Sequence, residues 1–398
     1  NSSMNNFNGL KPILKHFAEV GPAGCSASVS LGGKTVFAHC EGYANLETQA
    51  PIREDTIFRM YSNSKVATMV AVLTLYEEGL LLLNDPVEKY LPEFANPQVG
   101  YYTGNNLYAV RPAKSSILVK DLMTMSSGLT YGSVRPAISE THAAVAGMMA
   151  ALEARGGYAL GEFVKLAARL PLLYDPGTSW NYSISHDVLG ALVEAVSGKA
   201  FGSYLRERVF EPLGMKDTGF FLRPEDAQRL ATLYTRNPDG ALVPNFSDEY
   251  RYKPEHRYES GGGGLLSTLP DMTRLAQMLS QGGTLDGVRV LGRKTIDLMR
   301  TNHLGTEQLC AFRRAHENQW EFLKGYGYGL GVRTMMDRAE GGCNGTRGEF
   351  GWAGAAGTWM LMDPEEKLAV VYMHQLKPMN MEGYCHPRIR AAVYAGLD

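Results

Sequence analysis

The sequence predicts an α/β (α+β) fold in which an antiparallel sheet is flanked by terminal helices and interrupted by a large, mainly helical insertion. Three observations predict it. Apolar residues recur at helical spacing near both ends of the chain, at 7–17 and 389–395. Alternating strand patterns joined by short turns lie next to these terminal segments. Helical patterns then predominate between about 96 and 250.

The length of the chain also favours more than one structural unit. At 398 residues it exceeds the size at which a single hydrophobic core stops growing. We therefore expect an α/β sheet domain made of residues 1–95 plus 251–398, and a mainly helical inserted domain made of residues 96–250.

The first part of the chain predicts a helix, a hairpin and a buried helix in that order. The amphipathic stretch at 7–17 is terminated by Gly21-Pro22. Apolar residues then alternate with serines over 26–31, and Gly32-Gly33 supplies a two-residue turn before the strand pattern at 35–38. A short extended segment at 56–60 leads to the stretch 66–76, which is apolar almost all round and is therefore predicted to be a buried helix.

The remaining elements are predicted from periodicity and turn residues. Helices of the insertion are expected at 119–125, 143–154, 160–170, 186–197 and 201–210. The glycine-rich stretch at 260–264 lacks the Gly-Lys-Ser/Thr of a phosphate-binding loop, so we expect tight backbone packing there. A helix at 270–281, strands at 327–333, 357–362 and 368–373, and the final helix at 389–395 complete the sheet domain.

Composition limits the partners of the protein. A net charge of −2, with 44% apolar and 20% charged residues, gives no electrostatic reason to expect nucleic acid or an anionic membrane. The five cysteines include no Cys-x-x-Cys pair, which argues against a disulfide framework and a zinc site. No apolar run is long enough to span a bilayer. We expect a small-molecule substrate and a cytoplasmic location, with export by a removed signal peptide as the alternative.

Ser62 and Lys65 stand at the head of the predicted buried helix. Residues three apart on a helix are neighbours, with Cβ atoms about 5–6 Å apart, so a hydroxyl and an amine meet there. The free N–H groups of a helix start stabilise negative charge developing on the serine. A lysine in a buried helix would be costly without a function. The pair therefore predicts a nucleophile and its base, although Ser-x-x-Lys alone is weakly specific and a capping serine with a solvated lysine is the alternative.

Two further stretches carry candidate residues. Tyr182 lies in a predicted loop just before a helix, and loops on a rigid scaffold commonly carry catalytic groups. It is also one of 21 tyrosines, so a packing role is the alternative. The small-residue stretch at 351–357 precedes a predicted strand, and its backbone N–H groups are candidates to face a ligand.

In this order and spacing, Ser62-x-x-Lys65, Tyr182 and Trp352-Ala353-Gly354 resemble the motifs of the serine β-lactamase and DD-peptidase superfamily. The resemblance is to its class C β-lactamase-like group, and within that most closely to the family VIII carboxylesterases. It covers nearly the whole chain and includes the stretches at 78–92, 121–129 and 210–215.

The resemblance implies a β-lactamase/transpeptidase-like fold, an acyl-enzyme on Ser62, and no cofactor or metal. It implies that Lys65 or Tyr182 takes the serine proton, and which of the two does so stays open because they would titrate as a coupled pair. The backbone N–H groups of Ser62 and Ala355 are the implied oxyanion hole. Trp352, Ala353 and Gly354 are the implied substrate-binding stretch for a small ester or amide.

Two departures from the family pattern favour esters over lactams. The Tyr-x-Asn motif is Tyr182-Ser183-Ile184 here, and the Lys/His-Thr/Ser-Gly motif is Trp352-Ala353-Gly354. The indole offers an apolar face and one N–H donor but no cation for the carboxylate of a β-lactam. The open alternative is that Arg333 or Arg347 supplies a cation from another direction.

Other functions remain as alternatives. A β-lactamase, or a D-amino-acid amidase or peptidase, would use the same residues. A Ser-His-Asp hydrolase is disfavoured because the chain has no Gly-x-Ser-x-Gly, and His186-Asp187 are neighbours on one predicted helix. A non-catalytic, penicillin-binding-like sensor module is the alternative of another class, and covalent labelling of Ser62 would discriminate against it.

Overall fold

The computed structural model describes residues 4–133, 139–318 and 320–398. The strands in chain order are β1 (Gly24–Leu31), β2 (Lys34–Asn45), β3 (Ala50–Pro51), β4 (Ile57–Arg59), β5 (Gln98–Tyr102), β6 (Tyr108–Pro112), β7 (Tyr234–Arg236), β8 (Leu242–Pro244), β9 (Leu266–Thr268), β10 (Thr284–Leu285), β11 (Val288–Arg289), β12 (Tyr326–Tyr328), β13 (Arg333–Met335), β14 (Phe350–Ala353), β15 (Trp359–Asp363) and β16 (Leu368–Met373).

The α-helices in chain order are α1 (Leu10–Val20), α2 (Ser64–Glu77), α3 (Val119–Met123), α4 (Glu140–Glu153), α5 (Leu160–Ala167), α6 (Ser185–Ser197), α7 (Phe201–Leu205), α8 (Glu211–Leu213), α9 (Leu269–Ser280), α10 (Arg293–Met299), α11 (Thr306–Asn318), α12 (Arg338–Gly341) and α13 (Glu382–Ala395). A π-helical turn, Arg206–Phe210, joins α7 to α8.

Eight strands form one antiparallel sheet in the order β12-β13-β14-β15-β16-β1-β2-β3. The predicted hairpin is confirmed: Leu31 pairs with Lys34 across Gly32 and Gly33, which have φ angles of 61° and 79°. Positive φ at both turn positions matches the twist of the strands and is easily reached by glycine. The terminal helices α1 and α13 cover one face of the sheet, and α9 packs on the other. The predicted α+β fold is confirmed.

The serines of β1 show how this second face is covered. Ser28 and Ser30 are buried rather than solvated. The Ser28 hydroxyl is 2.7 Å from the hydroxyl of Thr273, and the Gln277 side chain donates to Ser30 Oγ at 3.0 Å. Because α9 supplies hydrogen-bond partners for these hydroxyls, the polar side chains of β1 can face a helix instead of water.

Helix α2 is the central helix of the molecule. Every residue from Ser64 to Leu75 is buried, as its all-round apolar pattern predicts. It packs against α6 of the segment 96–250 and approaches strand β14 of the sheet. This helix therefore carries its N-terminal residues to the boundary between the sheet and the helical region.

The segment 96–250 contains the predicted helices as α3 to α7, and the short helix α8 follows them. It also contains two hairpins that the sequence analysis did not anticipate, β5 with β6 and β7 with β8. The domain boundaries at 96 and 250 stay a prediction. In the described ranges, no helix combines the length and the apolar character needed to cross a bilayer.

Two predicted elements differ from the structure. The stretch at 327–333, expected to be one strand, is the turn region of the hairpin β12–β13, because the Gly329 N–H donates to the Val332 carbonyl at 2.7 Å and reverses the chain. The last helix begins at Glu382 rather than near 389, and it includes Pro387. Proline in the second turn of a helix removes one hydrogen bond, and the helix continues through it.

Candidate active site

Ser62 lies in the single 3-10 turn Tyr61–Asn63 that leads into α2. The preceding residue, Tyr61, has a φ of 44°, a left-handed conformation that is unfavourable for a bulky residue. Its hydroxyl donates to the Asp248 carboxylate, which also pairs with the fully buried Arg59 at 3.2 Å. These contacts hold the strained turn and fix the direction of the half-buried Ser62 side chain.

Lys65 is fully buried and its amine lies beside the serine. Its Nζ is 3.0 Å from Ser62 Oγ, 2.9 Å from Tyr131 Oη and 2.7 Å from the Gly262 carbonyl oxygen. No described carboxylate lies within salt-bridge distance of this amine. The predicted meeting of a hydroxyl and an amine at the helix start is therefore present, with all three polar contacts made to neutral oxygens.

The glycine-rich stretch at 260–264 wraps around the start of α2. Its Gly261 carbonyl accepts from Thr68 Oγ1 at 2.7 Å, and its Gly262 carbonyl accepts from Lys65. A Cβ added to Gly262 would lie 2.7 Å from Asp187 Oδ1, closer than real Cβ contacts allow. The expected tight backbone packing is confirmed, and it also supplies a carbonyl that orients the Lys65 amine.

Tyr131 belongs to the site and was missed by the sequence analysis. Besides its contact with Lys65, its ring centre lies 5.2 Å from that of Tyr182. Burial, followed by the nearby Tyr182 and Asp187, raises the pKa of the Tyr131 phenol well above its usual value, so it stays protonated. Its only sequence signal is that it follows the family-like stretch at 121–129 by two positions.

Tyr182 lies in the loop before α6, as predicted, and it borders the same space. The Lys65 amine is 4.6 Å from the centre of its ring. Its hydroxyl accepts a hydrogen bond from Trp352 Nε1 at 3.1 Å. The structure thus brings Ser62, Lys65, Tyr182 and Trp352 together, and it places the Tyr182 hydroxyl against the indole rather than against Ser62.

Aromatic rings enclose Tyr182 on several sides. Trp320 lies edge-on to it with ring centres 5.2 Å apart, and Trp180 stacks on it at 6.3 Å. Tyr328 contacts both Trp180 and Trp352. Edge-to-face contacts of this kind stabilise ring orientation. Trp320 and Tyr328 were not among the predicted site residues, because their sequence neighbourhoods carry no motif.

The stretch after β14 forms a tight loop beside Ser62. A Cβ on Gly354 would lie 2.2 Å from the Met60 carbonyl oxygen, so only glycine fits this approach. Ala355 is exposed, and its carbonyl accepts from Asn380 Nδ2 at 2.9 Å. Within the described residues, the N–H groups of Ser62 and Ala355 donate to no protein acceptor. Both amides are therefore available to a ligand.

These residues open onto a cavity of about 410 Å³. Its lining includes the predicted residues Ser62, Tyr182, Trp352, Ala353, Gly354 and Ala355. Three cations, Lys377, Arg333 and Arg390, also line it. The stretch 352–355 itself offers no cation, and the alternative that Arg333 supplies one from another direction stays open. Arg347 is exposed on the surface and is not part of the wall.

His186 and Asp187 do not form a serine triad. The Asp187 carboxylate accepts from Tyr258, Ser260 and the Gly262 N–H at 2.6–2.8 Å, which anchors the glycine-rich stretch. Neither ring nitrogen of His186 has a hydrogen-bond partner among the described residues. Burial holds the pKa of His186 well below its usual value. Asp187 is a structural residue, and His186 is a neutral neighbour of α2.

An antiparallel sheet beside a helical region, with Ser-x-x-Lys at the head of the helix between them, is the arrangement of serine enzymes that form acyl intermediates. A sequence model of the beta-lactamase family matches residues 13–394. The chain belongs to the beta-lactamase family, and it is a serine hydrolase of that family.

Individual relatives agree with this assignment. Rv1367c of Mycobacterium tuberculosis is 35% identical over 343 residues, which cover 85% of this chain and 82% of that protein. Esterase EstB of Burkholderia gladioli is 28% identical over 389 residues, covering 94% and 91%. Among solved structures, EstCE1, described as a hydrolase with promiscuous acyltransferase activity, aligns with a TM-score of 0.78 at 25% identity over 97% of each chain.

Proposed function

We propose that the protein hydrolyses small carboxylic esters through an acyl-enzyme on Ser62. The observation that carries this proposal is the position of the buried Lys65 amine 3.0 Å from Ser62 Oγ, next to a cavity that aromatic side chains line in part. The similarity to EstB, an esterase, and to EstCE1, a hydrolase, supports the same class of reaction.

In the proposed first step, Ser62 Oγ attacks the ester carbonyl carbon. Its proton passes to neutral Lys65, directly or with Tyr182 as the partner in the transfer. The oxyanion is held by the N–H groups of Ser62 and Ala355, both of which lack a protein acceptor among the described residues. The alcohol leaves with a proton, and a water molecule then repeats the attack on the acyl carbon and releases the acid.

The cavity wall favours esters over lactams in this proposal. Trp352 stands where a cationic or hydroxyl side chain would otherwise face the carboxylate of a lactam, and its N–H is already bonded to Tyr182. Lys377 lines the same cavity, and its amine lies 4.4 Å from the centre of the Tyr61 ring. A β-lactamase or D-amino-acid amidase remains the second candidate, because it would use the same nucleophile.

A hydrolysis panel combined with covalent labelling tests the proposal. The panel holds p-nitrophenyl acetate and butyrate, a D-amino acid amide, a small peptide and a chromogenic cephalosporin. We expect turnover of the esters and loss of turnover after fluorophosphonate modifies Ser62. A protein that accepts the label but cleaves only the lactam or the amide would contradict ester hydrolysis. A protein that neither accepts the label nor cleaves any substrate of the panel would contradict the acyl-enzyme.

A further inference from the structure

The cavity that begins at Ser62 also has lining residues on the other face of the sheet. Arg333 on β13 pairs with Gly351 on β14, which pairs with Leu361 on β15, so these three residues share a face. Leu361 and Trp359 pack among the terminal helices. The rear part of the cavity, here called the rear chamber, therefore lies between the sheet and α13. Its lining residues are Arg333, Trp359, Glu382, His386, Pro387 and Arg390.

Arg333 is the exceptional group in the rear chamber. It is only 2% exposed, yet within the described part of the chain its one hydrogen bond is a long contact of 3.4 Å from Nη2 to the Met360 carbonyl. The guanidinium lies against the rings of Tyr326 and Trp359, at 5.2 and 5.8 Å from their centres. No described carboxylate lies within 4.0 Å of it. Buried charges are normally paired. Because Arg333 has no described carboxylate partner and only one long hydrogen bond, most of its N–H donors are unused at the cavity wall.

The other charged groups of the rear chamber do not neutralise Arg333. Arg390 donates to Tyr326 and lies 3.9 Å from the buried Glu349, whose Oε1 accepts from Tyr326. In the described part of the chain, Glu349 forms no ion pair with Arg333 within 4.0 Å. Burial raises the pKa of Glu382 to about 7, and this side chain is therefore mostly uncharged below that pH. Burial also holds the pKa of His386 well below its usual value, while its Nε2 lies 3.0 Å from the Gly357 carbonyl. The chamber thus has an unpaired positive charge in weakly acidic solution.

We propose that the rear chamber binds a carboxylate at the far end of the ester substrate, with Arg333 as its partner. The preferred substrates are then half-esters of dicarboxylic acids, or esters whose alcohol part ends in a carboxylate. The apolar spacer packs against Trp359 and Pro387, and the planar guanidinium matches a carboxylate with two parallel hydrogen bonds. This proposal rests on the proposed ester hydrolysis and makes Arg333 a specificity residue, remote from the reacting bond.

The first series compares monomethyl esters of succinate, glutarate, adipate and suberate with the corresponding dimethyl esters at about pH 6. The second series places the carboxylate on the alcohol part of the ester, and it compares acetoxy-alkanoates with their methyl esters. Proton release measures the rate. In at least one series, the carboxylate-bearing ester of the best-fitting length is expected to have a higher kcat/KM than the neutral ester of the same length. Arg333→Met, which keeps an apolar chain of similar length, should lower that value by about 10- to 100-fold, the effect of one lost charge-assisted pair. The neutral diester should change less than about twofold, and Arg333→Lys should restore part of the preference.

The matched control is Arg347→Met, which removes an exposed arginine outside the cavity and should leave both substrates unchanged. Equal rates on charged and neutral esters in every series, or equal losses on both in a folded Arg333→Met protein, would overturn the proposal. If that variant does not fold, a competition experiment replaces it. Free adipate should inhibit hydrolysis of methyl butyrate by the wild type, and a lack of inhibition would refute carboxylate binding in the rear chamber. Failure to cleave any ester would refute ester hydrolysis instead, and calorimetric binding of adipate would then test the chamber independently.

Discussion

Lys65 is the residue whose surroundings say most about the chemistry. Its buried amine touches Ser62 Oγ, Tyr131 Oη and the Gly262 carbonyl, and no described carboxylate pairs with it. A protonated amine would donate to all three oxygens, but a neutral amine donates to two and accepts from one hydroxyl. The carbonyl can only accept, so the neutral form would accept from either Ser62 or Tyr131. Accepting from Ser62 is the geometry that a general base requires.

Replacing the nucleophile separates catalysis from folding. Ser62→Ala should abolish measurable ester turnover, because it removes the attacking oxygen, while the thermal unfolding temperature stays close to that of the wild type. Rates on p-nitrophenyl butyrate and unfolding curves check both parts. Ser247→Ala, a change at an exposed serine, is the matched control. A Ser62→Ala protein that keeps most of the wild-type rate would disprove the assignment.

The two tyrosines beside Lys65 offer a paired test of proton transfer. If Tyr182 takes part, Tyr182→Phe should lower kcat by about 10²–10⁴-fold with little change in KM. Tyr131→Phe removes one hydrogen bond to the amine, worth about 0.5–1.5 kcal/mol, and should lower kcat by about 2–10-fold. Steady-state kinetics of both variants decide between them. The reverse order of effects would assign the transfer to Tyr131.

The sequence predicted the local part of the site and not the distant part. Ser62 and Lys65 are three residues apart, one in the 3-10 turn that leads into α2 and the other in the first turn of α2, so local helical geometry brings them together. The contacts from Lys65 to Tyr131 and Gly262 join residues 66 and 197 positions apart, and no local pattern reports such a distance. Arg333 was named only as an alternative source of charge, because a single sequence does not show which side of a strand faces a cavity.

At the scale of elements, the sheet domain was predicted least well between 282 and 326, where α10 and α11 were not expected. The final helix α13 was expected, but with a later start. Its first turn carries Glu382, which reaches the rear chamber, and the sequence placed the start of the helix beyond this residue because Pro387 interrupts the pattern. By contrast, α2 and the hairpin β1–β2 were predicted closely, since an all-round apolar helix and a two-glycine turn are unambiguous local signals.

The partial burial of Glu382 makes the stability of the α13 region depend on pH. Burial raises its pKa from 4.5 in the unfolded chain to about 7, so folding favours the neutral form. Compared with a variant that has an uncharged side chain at this position, the wild type therefore has the same stability below about pH 4.5. It loses stability relative to that variant as the pH rises through 7. Glu382→Gln should leave the free energy of unfolding unchanged near pH 4.5 and increase it relative to wild type at pH 8.5, by up to about 3 kcal/mol.

Urea unfolding at the two pH values measures this difference. Glu365→Gln, at an exposed position in the turn between β15 and β16, is the control and should show the same effect at both pH values. A Glu382→Gln variant whose stability relative to wild type does not change with pH would show that the carboxyl group is solvated.

At the scale of the whole molecule, the proposed preference for esters over lactams depends on the cavity between the sheet and the helical region. Trp352 replaces the polar contact that a lactam carboxylate would use, and one lost charge-assisted hydrogen bond is worth about 1.5–3 kcal/mol, or about 10–150-fold. We expect kcat/KM for p-nitrophenyl butyrate to exceed that for a cephalosporin by at least this factor. Lactam turnover equal to or faster than ester turnover would favour the β-lactamase alternative.

The acyl-enzyme itself is tested most directly by rapid quenching of the protein during turnover of p-nitrophenyl acetate, followed by mass spectrometry of its peptides. The account predicts a burst of p-nitrophenol and a single acetyl group on the peptide that contains Ser62, with neither in Ser62→Ala. Rapid turnover with an acetyl group on a different residue, or with wild-type kinetics in Ser62→Ala, would contradict it.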